Sequence, residues 1–219
     1  MTTMIRHHLS DQLLMGYSAG TLPEAFNLVV ATHISMCDEC RARLASFDAL
    51  GGALIEAPEM ASAMGSGALA ATLARIKSAD ESTAVAPERK ASKAVLPQPL
   101  QDYVSGDVDK VMWRNVGGGV RQAVLPTSSR ASARLLFIPA GAAVPDHGHR
   151  GTELTLVLQG AFSDEEDRFG PGDIEIADED LHHQPIAEAG VDCICLAATD
   201  APLKFRGLLP RLAQPFLQI

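Results

Sequence analysis

Gly141-Ala142-Ala143-Val144-Pro145-Asp146-His147-Gly148-His149-Arg150-Gly151-Thr152-Glu153-Leu154-Thr155-Leu156-Val157-Leu158-Gln159-Gly160 is the stretch on which the fold turns. It begins and ends on glycine and holds two histidines and two acids, Asp146 and Glu153, between them. Side chains on a strand repeat every two residues, so His147 and His149 share a face. Gly151 then permits a turn. Glu153 opens an alternating run, Glu153 to Leu158, that can face the same cavity. A barrel interior collects ligands from separate strands in this way.

Working outward, the same texture runs from Leu100 to the end of the chain. Val120–Leu125, Ala133–Ile138, Asp173–Ile176 and Val191–Ala197 are short and β-leaning, and Gly117–Gly119, Pro126, Pro139, Gly160 and Gly170–Gly172 punctuate them. Turn signals about every ten residues mean a sandwich or barrel. Gly170-Pro171-Gly172-Asp173 supplies one such turn, and His182 or His183 follows the next strand.

The spacing Gly141-x₅-His147-x-His149-x₃-Glu153-x₆-Gly160 resembles the first sequence motif of the cupins at every fixed position. The resemblance implies an antiparallel β-barrel or jelly roll over 99–219, with a metal held by His147, His149, Glu153 and His183. The register Leu181-His182-His183-Gln184-Pro185 places His183 where related proteins carry the last ligand. The second motif departs from the usual one, in which P-x-G stands closer to its histidine. Three imidazoles and a carboxylate suit zinc or another divalent transition metal, and the residue types do not choose among them. The alternative is a metal-free barrel with buried, hydrogen-bonded histidines.

The first 80 residues read as helices. Ser10 can cap a helix through Ala19, with Gly20 as its stop. Thr21-Leu22-Pro23-Glu24 fits a capping box with proline in the first turn, opening a helix to about Cys37. Asp38 can open a third helix with Leu44, Phe47, Leu50 and Leu54 on one face, and Ser66–Lys77 a fourth with Leu69, Leu73 and Ile76 aligned. Between these, Ala57–Gly67 is rich in Gly, Ala and Ser and reads as loose. Residues 81–98 read as a linker between two domains that move independently. The expected class is therefore α+β: a small helical bundle over 1–80, then the β domain.

His33-x₃-Cys37-x₂-Cys40 sets three zinc-ligand types within eight residues. On a helix His33 and Cys37 lie one turn apart on one face, and Cys40 follows at the start of the next helix. A structural zinc site takes four N/S ligands in a tetrahedron. His7 and His8 are the nearby candidates for the fourth. A core of four short helices is marginal at this size, and a metal cross-link offsets that. Two free thiols with surface histidines, or a thioredoxin-like motif, are the plainer readings of C-x-x-C, but no βαβ pattern surrounds it. The segment resembles the zinc-binding anti-sigma domain, which carries a histidine and then C-x₂-C on its second and third helices. On that resemblance the fourth ligand is His8.

The order of zinc domain, linker and cupin resembles the ChrR-type anti-sigma factors over essentially the whole chain. That resemblance implies a cytoplasmic regulator that binds one extracytoplasmic-function (ECF) sigma factor in a 1:1 complex. The helical domain alone suffices for binding, and the cupin is needed for release when reactive oxygen, singlet oxygen in particular, is present. Cys193 and Cys195, at i and i+2 on a strand, share a face; they are a candidate redox pair or plain core residues.

Composition agrees with these classes. The net charge is −9, and 47% of residues are hydrophobic. No segment offers the basic stripe that phosphate backbones need, so a protein partner is expected rather than DNA. No apolar run approaches the roughly 20 residues that span a bilayer, and the start carries no signal core. A metalloenzyme, such as a cupin dioxygenase or isomerase with a helical appendage, remains the competing class. A cupin enzyme has no need of the His8/His33/Cys37/Cys40 set.

Overall fold

Alternation along the longest strands decides how the molecule is layered. In the computed structural model, residues 4–56, 64–78 and 94–205 are described. On strand β11 (Cys193–Thr199), Ile194, Leu196 and Ala198 enter one buried cluster, while Cys193 and Cys195 enter another. Strand β3 (Ser132–Ile138) divides likewise, with Ala133 and Leu135 on one side and Leu136 and Ile138 on the other. A sheet with two apolar faces must be covered twice.

The strands concerned form one six-stranded antiparallel sheet in the order β1 (Arg114–Gly117), β2 (Val120–Leu125), β3, β11, β5 (Glu153–Gln159), β8 (Ile174–Ala177). Two three-stranded sheets close the inner face. One runs β10 (Ile186–Ala187), β6 (Phe162–Ser163), β7 (Arg168–Phe169). The other runs β12 (Lys204–Phe205), β4 (His147–Gly148), β9 (His182–His183). Side chains from both layers line a single chamber.

Helices cover the outer face. Helix α1 (Asp11–Ser18) starts at Ser10, whose Oγ accepts from Leu13 N at 3.3 Å, as expected. Helix α2 (Glu24–Met36) buries Phe26, Leu28, Val29 and Val30 in the same cluster as Leu135, Leu154, Leu156 and Leu196 of the sheet. It is apolar on most sides because α1 and the sheet enclose it. The capping box expected at Thr21–Glu24 does not form. Pro23 occupies the cap position without a side-chain bond, and Thr21 Oγ1 donates instead to Gly16 O. Glu24 turns outward, accepting from Tyr103 OH at 2.9 Å and Ser128 N at 2.7 Å. These longer-range partners outcompete the local cap.

Helix α5 (Gln98–Val104) begins at the last residue of the stretch read as linker, and Leu96 within that stretch is fully buried beside Leu100. Residues 81–93 of the anticipated linker lie outside the described residues, as do 57–63 of the loose stretch. By packing, the chain divides into Met1–Asp48 with Ala94–Ile219, and Ala49–Lys93. The first unit thus joins α1, α2 and the start of α3 (Asp38–Glu56) to the β domain, because the outer sheet face needs the helices as cover.

In the second unit the apolar faces read from the sequence are present but uncovered. Leu50 and Leu54 of α3 are exposed, as are Leu69, Leu73 and Ile76 of α4 (Ala68–Ser78), which buries none of its residues. Among the described residues no helix is long and apolar enough to cross a membrane.

Candidate metal centres

The helical cluster is assembled by a reversal of the chain at Cys37. Cys37 caps α2 in extended conformation, φ −114° and ψ 108°, so α3 can leave in a new direction one residue later. Its amide still closes the last turn on His33 O at 2.8 Å, which keeps His33 and Cys37 on one face. Cys40, in the first turn of α3, donates its backbone N–H to Cys37 Sγ at 3.4 Å. His8 enters from the extended segment before α1, its Nδ1 3.3 Å from Cys37 Sγ and 3.6 Å from Cys40 Sγ.

One donor atom each from His8, His33, Cys37 and Cys40 lies within 4.8 Å of every other. A tetrahedral zinc shell, with bonds near 2.0–2.3 Å, sets its donors roughly 3.6 Å apart. His33 is fully buried, and neither ring nitrogen makes a hydrogen bond of normal geometry. Burial first, and then the neighbouring His8, pulls its pKa down to about 4. An uncharged, unpartnered imidazole deep in a fold is costly unless something accepts its lone pair. Cys40 is pushed up to about 11 by burial and by Cys37, so its proton stays on until an ion displaces it. All four cysteines are free. The residues fit a tetrahedral N₂S₂ ion, and Glu39, 3.4 Å from His8 Nε2, is placed to orient that ring. His7 points elsewhere, toward Asp167 and Asp173.

The second cluster lies in the chamber. Antiparallel pairing of β4 with β9 sets His147 opposite His183, their ring centroids 4.7 Å apart. His149 joins them, its Nε2 3.3 Å from His183 Nε2. These three imidazoles are buried and within ligating reach of one another. His182 faces outward, its ring packed over Gly148, where an added Cβ would come within 2.3 Å of it. Glu153, at the start of β5, stands beside the trio without joining it as closely. Its Oε2 is 3.9 Å from His149 Nδ1, and its Oε1 accepts from Thr155 Oγ1. His147 Nδ1 is taken up by Pro145 O at 2.8 Å, which fixes the ring's orientation.

Sequence reading missed the two acids behind His183. Its Nδ1 lies 2.9 Å from Asp164 Oδ2 and 3.0 Å from Glu175 Oε1. Burial opposes charge on His183, but Glu175 and Asp164 outweigh it and push the pKa up to about 9. Burial likewise drives Glu175 up, to about 7, against the pull of His183. His149 falls to about 4, chiefly through burial. A histidine whose far nitrogen donates to carboxylates offers a more basic lone pair on the other side. The signals were present but faint: Glu175 takes an inward place in an alternating strand, and Asp164 folds over the Glu166 and Asp167 amides as a turn-former.

The thiols Cys193 and Cys195 are both buried, 3.5 Å apart, and Cys195 lines the chamber. Contact with Cys193 and burial hold Cys195 well above the usual thiol range.

A short strap connects the two clusters. Arg6 N and His7 N donate to Asp173 Oδ1 at 2.6 and 2.9 Å, and Ile174 N donates to His7 O. Asp173 is two residues from Glu175, and His7 adjoins His8. Gly172, at φ +92°, admits Ile5; an added Cβ there would meet the Ile5 side chain at 2.6 Å.

Residues 101–201 match the family model described as the ChrR cupin-like domain. Over 215 residues, 98% of this chain and 99% of the relative, the sequence is 60% identical to the anti-sigma-E factor ChrR of Cereibacter sphaeroides. The chain belongs to the family of the anti-sigma factor ChrR. The solved structure of Rhodobacter sphaeroides SigE in complex with the anti-sigma ChrR contains a chain of 59% identity. The match covers 90% of this chain and all of that one, with a TM-score of 0.79.

Proposed function

We propose that this protein is an anti-sigma factor that holds an ECF sigma factor in a 1:1 complex and releases it when its cupin domain meets reactive oxygen, singlet oxygen in particular. It acts in the cytoplasm as a regulator rather than an enzyme. The observation that carries the reading is the N₂S₂ cluster of His8, His33, Cys37 and Cys40 in a chain alike over its full length to an anti-sigma factor. Zinc there fastens the N-terminal segment, α2 and α3 to one point. The uncovered apolar faces of α3 and α4 then serve as contact surface for the sigma factor. The helical domain spans 1–80, a linker 81–98 and the cupin 99–219.

In the chamber, His147, His149, Glu153 and His183 hold a second divalent metal, zinc or another transition ion, with Asp164 and Glu175 orienting His183. When bound, that ion supplies a Lewis-acidic centre whose ligands are open to oxidation. Reactive oxygen acts on a ligand imidazole or on the thiol pair Cys193 and Cys195. The disturbance passes through β8 and Asp173 to the strap that bears His8. A signal shifts binding only by favouring one of two states, and the strap adjoins His8 at one end and Asp173, two residues from Glu175, at the other.

Co-expression with an ECF sigma factor, followed by gel filtration, tests the reading. The expected result is a stable 1:1 peak that singlet oxygen dissociates for the full chain but not for residues 1–80. Separate elution of two folded, zinc-loaded proteins contradicts it.

A further inference from the structure

Arg134 stands on the inner face of β3, its side chain in the chamber wall and only 5% exposed. The guanidinium Nη2 donates to Ser132 Oγ at 3.0 Å, but the buried Nη1 makes no hydrogen bond. The acids of the chamber are occupied elsewhere. Glu153 accepts from Thr155, and Glu175 and Asp164 face His183. Among the described residues no carboxylate comes within ion-pair distance of Arg134; burial lowers its pKa, and the charge of Glu153 opposes this from farther off. A buried cation with an unused donor is unfavourable unless an anion arrives to meet it.

The surroundings define that anion. The chamber measures about 560 Å³, within the range that takes small organic ligands. Around Arg134 and the histidines its wall is largely aliphatic and aromatic, from Val120, Leu136, Ile138, Val144 and Phe162. Arg134 and Leu203 also line an adjoining cleft that carries Arg130, Arg150 and one acid, Asp200, so the approach to the guanidinium is basic on balance. A carboxylate matches a guanidinium fork, and an aliphatic chain matches the remaining wall.

We propose that the chamber is a binding site for a small organic carboxylate with an apolar tail, its head group on Arg134 and its tail along Val120, Leu136, Ile138 and Phe162. Binding requires neither the sigma factor nor the release step, so the site stands or falls apart from the function proposed above. Inorganic anions fill the head position alone, and neutral lipids fill the tail position alone; neither satisfies both halves.

Titration calorimetry on the metal-loaded full chain tests this with hexanoate, octanoate and decanoate, against octanol as the uncharged control. One site per chain is expected, tightening with tail length, with octanol at least tenfold weaker. Arg134→Gln should weaken octanoate about tenfold or more, the scale of one charge-assisted hydrogen bond, while Arg134→Lys retains part of the affinity. Leu136→Trp, which fills the chamber and leaves Arg134 in place, should abolish binding of the longer acids. Should Arg134→Gln fail to fold, Leu136→Trp and the octanol comparison still decide. Equal binding of octanol and octanoate overturns the proposal, as does the absence of binding at millimolar acid. Unchanged affinity in Arg134→Gln, with loss in His147→Ala, would move the head group to the histidines and overturn it too.

Discussion

The two histidine clusters share one compact unit but are built by opposite means. Among the helices, three of four donors come from residues 33–40, and helix geometry alone sets two of them on one face. In the chamber, His147 and His183 meet only because β4 pairs with β9 across thirty-five residues of intervening chain. In the first cluster neither ring nitrogen of His33 makes a hydrogen bond of normal geometry. The second already holds His183 between two acids. An ion bound by the helical cluster would therefore add cohesion that the side chains there do not supply, whereas the β site already has a sheet framework.

The largest expected effect breaks this contrast at the helical end. Cys40→Ser should lose zinc there and unfold residues 4–48 locally, seen as lost helical circular dichroism and a sigma-factor affinity down by more than a hundredfold. Unchanged helicity would mean that packing on the sheet, not the ion, holds α1 and α2. His147→Ala should leave the fold and sigma binding within about threefold while blunting release by singlet oxygen, as read by dissociation of the complex under a photosensitiser.

Next in size is the strap. Asp173→Ala removes the acceptor of three backbone N–H groups, from Arg6, His7 and Gly170. The expected cost is about 2–4 kcal/mol of stability by denaturant unfolding. If the strap couples the clusters, zinc affinity at His8 should fall with it. A stability loss with unaltered zinc affinity would separate the two.

Taken per pH unit, the smallest effect is a dependence on pH. Zinc must displace the Cys40 proton, which burial holds on up to about 11. Acid therefore favours the metal-free form, and through the Cys40 proton affinity should fall about tenfold for each unit from pH 9 down to pH 6. His33, pulled down to about 4, stays neutral through that range and adds to the loss only near pH 4. Competition with a chromophoric chelator measures the slope; a flat profile would mean that the thiols are not ligands.

The contrast also explains what could be read in advance. His33 and Cys37 were legible because they stand one helical turn apart, and Cys40 because C-x₂-C is a metal-ligand spacing. His147, His149 and Glu153 were legible because a strand repeats every two residues. The capping box at Thr21 failed because Glu24 found Tyr103 and Ser128, which are distant in sequence. Asp164 and Glu175 escaped for the same reason: their partner His183 is distant in sequence. The shared outer-face core of α2 and β11 was equally hidden, since a helix that is apolar on most sides does not announce what covers it.

Metal content of the purified full chain, measured beside that of Cys40→Ser and His147→Ala, tests the central claim most directly. Two ions per chain in the parent and one in each variant, with sigma-factor capture lost only in Cys40→Ser, is the predicted result. A parent chain that carries no ion at His8, His33, Cys37 and Cys40 yet still captures the sigma factor would contradict it.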